Sequence, residues 1–567
     1  MKEKNNVFIN NPLVFIFLSG ILSSFTYELY FYNKLMAVLI GTSLFFLIIW
    51  NLENYIKICV TLFLVIFIIN VNFYFDYKPG ESEIIRVTKL NYNFGEGELE
   101  GRKISINIEN ANEDIVGSRI YVNGDFTKNI NIVKGKIGHY NVTKYTVLKD
   151  DFISYLYKLR KNIYEKIEEK IGKRKAAIIC AVSYGYDYID DNDRDEMKLY
   201  GIAHVVSVSG LHMVLIYSIV CKIFNSKVAF IISLLYMFFS GAAEPSVRAY
   251  IMLLILTCAI KVRRNYNVLS ALSLSGIIIL IFKPYCIFKI GFILSFINIL
   301  AIYYFNKKLN RVFYKLPKKL REVVAMSLSS QIFIFPISVL YFNETSVNFI
   351  LGNLIIVPII NILIIVGILI MCFIKVPFIF GYLLYISSKL IVLMDRIIAI
   401  FDRYAIDFFY LNFSIAYLYI SMIIAFYFYK KGIKRFLYYP IVMLLYVLIL
   451  LYSPVVNIKY YYKGGLLISY RGERTFIESE DSSNVEKYKK VTLANKVIKA
   501  NDKKNIIINN HTKLIFFNNN YILKSEKEEK VLKISYDKIN GDYDIIDFTR
   551  GDIQDIWIID GNVISRK

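Results

Sequence analysis

Thirteen apolar runs recur along the 567-residue chain, and they restrict its fold more than any other feature. A helix needs about 20 predominantly apolar residues to cross the hydrocarbon core of a bilayer. Because some runs are short enough to be tilted, re-entrant or merged, we expect about ten to thirteen spans. The chain is 56% hydrophobic, more than ordinary soluble domains, so it is predicted to be a polytopic α-helical membrane protein. The runs lie at 12–32, 35–50, 55–75, 204–221, 227–241, 246–260, 267–282, 286–305, 326–342, 347–374, 378–401, 413–429 and 436–455.

Two segments outside these runs alternate polar and apolar residues, as strands with one buried face do. In 76–150 the runs IRVTKL, KISINIE, RIYVNGDF and HYNVTKYTVL are separated by Gly, Asn and Asp turn signals. About five short strands in this length are typical of a small barrel such as an OB-fold. The tail, 457–567, has strand-like runs between charged turns and is predicted to form a small, mainly β C-terminal domain. The first helices, 1–75, and the region 176–456 form the membrane part.

The segment 151–175 predicts an amphipathic helix. Phe152, Leu156 and Ile163 recur at helical spacing, whereas Lys158 and Lys161 fall largely on other faces. Such a helix either lies along the membrane surface or packs against the 76–150 insert. We predict the interfacial position.

The net charge of +22 is concentrated in the middle of the chain. Segments 1–75, 76–150 and 457–567 carry +1, 0 and +4, so 151–456 carries the other +17. The positive-inside rule for cytoplasmic loops explains such an excess, and so does a positively charged route for a polyanion. Charge alone does not decide between the two.

Three basic loops give a consistent topology. The loops 261–264, 307–321 and 430–435 are separated by even numbers of predicted spans, so all three are assigned to the cytoplasm. Three spans precede residue 76 and carry the chain outward. The OB-like insert and the C-terminal tail are therefore both predicted to face the exterior.

The nine residues HVVSVSGLH place two of the four histidines inside an apolar run. Polar groups at membrane depth need partners, so they usually mark function or helix packing. Ser207, Ser209 and Gly210 allow a kink and the close approach of another helix. On one α-helix, His204 and His212 lie within about 80° of each other. The two imidazoles either face a hydrated path, where they can donate to phosphates or bases, or join helices in a packed bundle.

Further polar residues stand in or beside the apolar runs. Glu244 and Arg248 are one helical turn apart and predict an ion pair at the start of a span, with contact to phosphate as the alternative. Asn298 and Gln331 are candidates for lining a pore or bridging helices. The six cysteines lie in or beside apolar runs without a CxxC pair. They are interpreted as buried apolar residues, and no disulfide, metal site or cofactor is predicted.

Four ordered stretches resemble the ComEC competence-channel family. They are GIAHVVSVSGLH at 201–212, GAAEPSVRAYIM at 241–252, KPYCIFKIGFILSF at 283–296, and 327–358, in which Gln331, Pro336, Ser346, Asn353 and Pro358 match the family. The resemblance covers about 160–455 and identifies 176–456 as a competence-type transmembrane channel domain, with Asn353 as a further site candidate. The insert lies where that family carries its exterior OB-like domain.

The resemblance implies a channel that conducts single-stranded DNA across the bacterial cytoplasmic membrane during natural transformation. The implied partners are the DNA strand, the lipid bilayer, an exterior DNA receptor, and cytoplasmic motor or strand-binding proteins. A homo-oligomer is compatible with this function. The alternative is a divergent permease or export channel with the same fold and another substrate, because fold does not determine cargo.

An enzymatic activity is the function that we expect least. Ser209 with His212 as base would make an intramembrane hydrolase, but neither an orienting carboxylate nor a G-x-S-x-G turn accompanies them. Longer family members end in a metallo-β-lactamase-like domain with an HxHxDH cluster, whereas this tail contains one histidine, His511. We therefore expect a short form without nuclease activity and assign no catalytic residue.

Overall fold

The structure is a computed structural model that describes residues 11–109, 115–206, 208–461, 465–478, 485–499, 505–517, 519–534, 544–549 and 555–566. The chain divides into two compact units, Met1–Gln331 with Val347–Ile406 and Ile332–Ser346 with Asp407–Lys567. The candidate site described below lies in the first unit.

Every apolar run of the sequence is helical over most of its length. The helices are α1 (Pro12–Tyr32), α2 (Lys34–Ile49), α3 (Asn54–Phe75), α4 (Phe152–Ile171), α5 (Lys173–Tyr184), α6 (Asp191–Leu199), α7 (Ala203–Val206), α8 (Gly210–Ile223), α9 (Ser226–Phe239), α10 (Glu244–Lys261), α11 (Val268–Phe282), α12 (Ile290–Val312), α13 (Lys318–Phe342), α14 (Phe349–Leu351), α15 (Val357–Cys372), α16 (Pro377–Phe401), α17 (Phe413–Lys430), α18 (Tyr439–Leu451) and α19 (Val485–Thr492). A π-helical turn, Gly352–Ile356, joins α14 to α15.

Seven helical segments of the described chain are long and apolar enough to cross a membrane. They are α1, α3, α12, α13, α17, the α14–α15 segment Phe349–Cys372, and Lys434–Leu451, which contains α18. Four shorter apolar helices, α2, α8, α9 and α11, accompany them. The chain is therefore a multi-pass helical membrane protein, as predicted. The number of spans between ten and thirteen stays a prediction.

The insert folds into a closed barrel of five strands. They are β1 (Ser82–Asn91), β2 (Phe94–Leu99), β3 (Arg102–Ile108), β4 (Arg119–Thr127) and β5 (Lys136–Val147), in the order β1-β2-β3-β5-β4. β3 and β5 pair in parallel, and the other neighbours pair antiparallel. This is an OB-like barrel, as predicted. The strand-like runs named from the sequence do not include β2, whose sequence FGEGEL contains few apolar residues. Close packing requires the glycine at position 97, since a Cβ there would lie 2.6 Å from Ile85 Cγ2.

α4 joins the barrel to the helical bundle. Asp151 caps α4 by accepting from Ser154 N at 2.9 Å, and it pairs with Arg86 of β1, which holds the pKa of Asp151 below its usual range. Ile163 and Ile167 are fully buried in the helical core. The helix is amphipathic as predicted, and its apolar face packs on other helices. Its position at the membrane surface stays a prediction.

α5 is the enclosed helix of this bundle, and the apolar runs of the sequence do not identify it. It has 12 residues, too few for a span, and residues 176–184 are all buried. Tyr184 Oη donates to Gly367 O at 2.5 Å, and Tyr236 Oη donates to Ser183 O at 2.8 Å. After its exposed first residues, Lys173 and Arg174, α5 is mostly apolar on all sides and is stable here because neighbouring helices cover it.

The described part of the tail is mainly β, as predicted, and contains two sheets. The strands are β8 (Val456–Tyr461), β9 (Gly465–Tyr470), β10 (Glu473–Glu478), β11 (Lys496–Lys499), β12 (Asn505–Asn509), β13 (Thr512–Phe517), β14 (Asn520–Lys524), β15 (Glu529–Lys533), β16 (Ile545–Asp547), β17 (Asp555–Ile559) and β18 (Asn562–Arg566), after the short pair β6 (Glu344–Thr345) and β7 (Phe409–Tyr410). A six-stranded sheet has the order β11-β10-β9-β8-β17-β18, and a five-stranded sheet has the order β12-β13-β14-β15-β16. The two sheets share one buried cluster, to which Leu466 and Leu523 belong.

The tail contacts the strand Glu344–Thr345 and the start of α17, which belong to the same unit. Lys487 Nζ lies 2.6 Å from Glu344 Oε2, and Asn412 Nδ2 donates to Val491 O at 2.6 Å. His511 Nδ1 lies 2.5 Å from Glu526 Oε1. Among the described residues, no group of three His, Cys, Asp or Glu side chains is arranged to hold a metal ion.

Candidate functional site

The HVVSVSGLH segment forms two helices. α7 ends at Val206 and α8 begins at Gly210, with extended backbone at Ser209 (φ −111°, ψ 179°) between them. The expectation that His204 and His212 share one helix is therefore wrong, because the chain changes direction at this N-cap position. Ser207 lies outside the described residues. Residues 208–212 are called the α8 turn below.

His212 of the α8 turn is fully buried, with both ring nitrogens engaged. Nδ1 accepts from Ser209 N at 3.1 Å and lies 3.1 Å from Ser209 Oγ. Because Nδ1 accepts a backbone N–H, the ring proton is on Nε2, which donates to Val182 O of α5 at 2.8 Å. The imidazole of His212 thus joins α8 to α5. This is the alternative in which the histidine connects packed helices.

His204, in contrast, is exposed, and its Nδ1 donates to Gly201 O at 3.0 Å. Gly201 has φ +66°, and a Cβ there would lie 2.5 Å from Phe349 Cβ. Gly352 is packed as closely against the carbonyl oxygen of Tyr200. The first and fourth family-like stretches therefore meet at two glycines.

Asn348 secures the same contact, and the sequence analysis did not single it out. It is 4% exposed, donates to Leu199 O at 3.3 Å and to Ile406 O at 2.8 Å, and accepts from Ile406 N at 3.2 Å. An isolated asparagine at the start of the apolar run 347–374 was the available signal.

The predicted pair of Glu244 with Arg248 does not form. Glu244 pairs with Lys289, which precedes α12 and belongs to the third family-like stretch. Cys286 Sγ also lies 3.7 Å from Glu244 Oε1. The prediction fails because Lys289 reaches the carboxylate from a separate turn, while Arg248 faces α8. The second and third stretches therefore meet at an ion pair.

The barrel packs beside this ion pair. Lys103 Nζ of β3 and Lys289 Nζ lie 5.4 Å and 5.0 Å from the ring centroid of Tyr285. Burial, and then the Lys289 ammonium, lower the pKa of Lys103. Tyr74 Oη donates to Gly135 O at 3.1 Å and accepts from Lys103 N at 3.0 Å. Polar side chains thus connect the barrel to the membrane helices.

α10 also contacts the α8 turn. Ser246 Oγ donates to Val208 O at 2.8 Å, a contact that the sequence analysis missed although Ser246 lies in the second family-like stretch. Two residues later, Arg248 is 7% exposed, and a Cβ at Gly210 would lie 3.1 Å from its Nη2. Gly210 therefore allows a guanidinium to lie against the start of α8.

The three amide candidates lie apart from the α8 turn. Asn353 Nδ2 donates to Ser327 Oγ at 3.0 Å, within the fourth stretch. Asn298 Oδ1 in α12 is buried without a hydrogen-bond partner, and Gln331 in α13 is half-buried. No hydrogen bond within the described chain joins any of the three to the α8 turn.

Comparison with known proteins matches the part of the chain that contains the four family-like stretches. Residues 184–432 match a family model described as competence protein. ComE operon protein 3 of Bacillus subtilis (strain 168) is 26% identical over 219 residues, which are 37% of this chain and 28% of that relative. This chain therefore matches less than a third of the relative's length. No solved structure matches the chain. The matched region contains the α8 turn, the Glu244–Lys289 pair and the Gly201–Phe349 contact, and over this region the chain resembles the competence protein family of the ComEC type.

Proposed function

We propose that the chain forms a conduit for single-stranded DNA across the bacterial cytoplasmic membrane during natural transformation. The observation that supports this most is the convergence of the four family-like stretches within the competence-type region. The first stretch contacts the fourth at Gly201 and Phe349 and the second at Val208 and Ser246, and the second pairs with the third through Glu244 and Lys289.

The charge of the membrane region fits a polyanionic cargo. The segment 151–456 carries most of the net charge of +22, and a phosphate backbone is attracted to such a region in a salt-dependent way. In this proposal the OB-like barrel faces the exterior, a separate receptor delivers the DNA, and a cytoplasmic motor or strand-binding protein drives transport. Assembly of several copies is part of the same proposal.

A permease with another cargo is the second candidate within the same fold. A neighbouring gene for an exterior helix-hairpin-helix DNA receptor would favour the DNA conduit. The absence of such a gene, together with transport of a small solute, would favour the permease.

Hydrolysis is not part of the proposal, although Ser209 Oγ and His212 Nδ1 are 3.1 Å apart. The same Nδ1 accepts the Ser209 backbone N–H, and Nε2 donates to a backbone carbonyl, whereas a catalytic base is usually oriented by a carboxylate. We propose that the pair caps α8. Loss of a nuclease activity of the full chain in Ser209→Ala would contradict this.

Proteoliposomes test the conduit directly. The full chain is reconstituted into vesicles that contain a single-strand-binding protein as a trap, and a labelled single strand is added outside. We expect label to become protected from external nuclease, and a duplex of the same length to stay accessible. Empty vesicles with the same trap are the control. Protection no greater than in empty vesicles would contradict the proposal.

A further inference from the structure

Arg248 is a buried cation without an anionic partner. Its side chain is 7% exposed, and its Nε has no hydrogen-bond partner. The nearest acid in sequence, Glu244, is engaged by Lys289. Among the described residues no ion pair or hydrogen bond of this guanidinium is present. A buried charge without a partner is strongly unfavourable, so this position suits a counter-ion from outside the chain.

The guanidinium faces the start of a helix that itself favours anions. Nη2 lies 3.1 Å from the point where a Gly210 Cβ would be, so the absence of a side chain at Gly210 lets the guanidinium lie against the first turn of α8. α8 has 14 residues. Ser209 Oγ accepts from the N–H of His212, and the N–H groups ahead of His212 in the first turn have no acceptor four residues earlier within the helix. The helix dipole adds partial positive charge at this end.

We infer that the α8 turn and Arg248 bind one phosphodiester group of the DNA strand. The inference rests on the proposed function and adds the chemistry by which the strand is held. A guanidinium binds two phosphate oxygens in one plane, and the helix N–H groups can donate to the same group. Such contacts position a strand without reading its bases, so binding at this point is independent of sequence.

A lipid headgroup offers the same phosphate chemistry, but the surroundings favour DNA. Arg248 and its neighbour Ala249 are both more than nine-tenths buried, and Ala249 belongs to the helical core. The guanidinium therefore points into the bundle toward Gly210 and away from the lipid-facing surface.

Salt-dependent binding tests the inference. The full chain is placed in phosphatidylcholine nanodiscs, and binding of labelled dT20 and dA20 is measured between 50 and 300 mM KCl. Each phosphate neutralised on a single strand contributes about 0.7 to the slope of log affinity against log salt. Arg248→Met should lower that slope by about 0.7 for both oligonucleotides. Without DNA, its melting temperature should be unchanged or higher, because an unpaired buried charge is removed.

Gly210→Ala is the second variant, because it keeps the charge and fills the space beside the guanidinium. Gly210→Ala should weaken binding of both oligonucleotides. The inference can therefore be tested with this variant even if Arg248→Met does not fold. Arg396→Met, at an exposed position of α16, is the matched control and should leave the slope unchanged.

The outcomes separate the inference from the proposed function. Wild-type protein that does not bind either oligonucleotide contradicts the proposed function. Wild-type binding with unchanged slopes in both variants overturns only the inference. A lower melting temperature with an unchanged slope in Arg248→Met assigns the residue a structural role. Stabilisation of the wild type by added phosphatidylglycerol that is lost in Arg248→Met, with the DNA slope unchanged, assigns the site to lipid and also overturns the inference.

Discussion

At the residue scale, His204 and His212 have opposite surroundings although only eight residues separate them. His212 is enclosed and bonded through both nitrogens, whereas His204 is exposed and holds one bond to Gly201 O. A polar group enclosed among apolar helices is stable only with its partners. The two histidines should therefore respond differently to the same substitution.

His212→Ala should destabilise the protein by about 1–3 kcal/mol for each buried partner left without a hydrogen bond, because Val182 O and Ser209 N lose the imidazole. His204→Ala is the matched control and should change stability by no more than about 0.5 kcal/mol. Unfolding in detergent measures both. Equal effects of the two substitutions would contradict the assigned environments.

The Glu244–Lys289 pair is the second residue-scale test. The two side chains are 15% and 26% exposed, so removing one partner leaves a largely buried charge. Loss of one partner of a fully buried pair costs about 3–5 kcal/mol, and the partial exposure of both side chains reduces the expected loss to about 2 kcal/mol. Glu244→Gln combined with Lys289→Gln should be less destabilising than the sum of the single changes. Additive effects in this double-mutant cycle would show that the pair contributes nothing.

At the element scale, two glycines control how the α14–α15 segment packs. Gly201 has a left-handed backbone and lies against Phe349. Gly352 is the first residue of the π-helical turn and lies against the carbonyl oxygen of Tyr200. π-helical turns are uncommon and often occur at functional sites. The close approach brings two distant stretches of the chain together, and the hydrogen bonds of Asn348 support it.

Gly352→Ala should push this turn away from Tyr200 and destabilise the protein by about 1–3 kcal/mol, because an added methyl has no space. Gly381→Ala in α16 is the control, since a Cβ there meets no atom within 4 Å. Alanine is the better helix former, so this change should stabilise by about 0.5–1 kcal/mol. A destabilised Gly381→Ala or a neutral Gly352→Ala, measured by thermal unfolding, would contradict the packing described.

At the scale of the whole molecule, an OB-like barrel, a helical bundle and a strand-rich tail follow one another along one chain. Within the first unit, the barrel is connected to the helices by Tyr74, Arg86 and Asp151. Which side of the membrane the barrel and the tail face depends on the assignment of the basic loops, so topology is the prediction that belongs to this scale.

Cysteine labelling tests the topology. In a background without the six native cysteines, cysteine at Asn123 of the barrel or at Lys496 of the tail should react with a membrane-impermeant reagent in intact cells. Cysteine at Lys319, at the start of α13 and within the basic segment 307–321 assigned to the cytoplasm, should react only after lysis. All three positions are exposed, so burial does not prevent the reaction. Reaction at Lys319 in intact cells would overturn the assignment.

Local patterns in the sequence determined the elements. Runs of apolar residues predicted the membrane helices, and alternation predicted four of the five barrel strands and the mainly β character of the tail, because these patterns reflect which face of each element is buried. The pattern missed β2, where glycines replace apolar residues, and it gave no sign that α5 is enclosed. Four ordered stretches were enough to indicate the family.

The tertiary structure decided which residues pair through hydrogen bonds and ion pairs. Periodicity placed Glu244 beside Arg248 and His204 beside His212, but Lys289 binds Glu244 and the chain turns at Ser209. Partners that are far apart in sequence, such as His212 with Val182 or Gly201 with Phe349, leave no local pattern. The sequence by itself therefore determined the helices, the barrel and the resemblance. Only the packed structure decided which polar groups are satisfied and left Arg248 facing the start of α8, because burial and hydrogen bonding depend on neighbours that the chain brings together by folding.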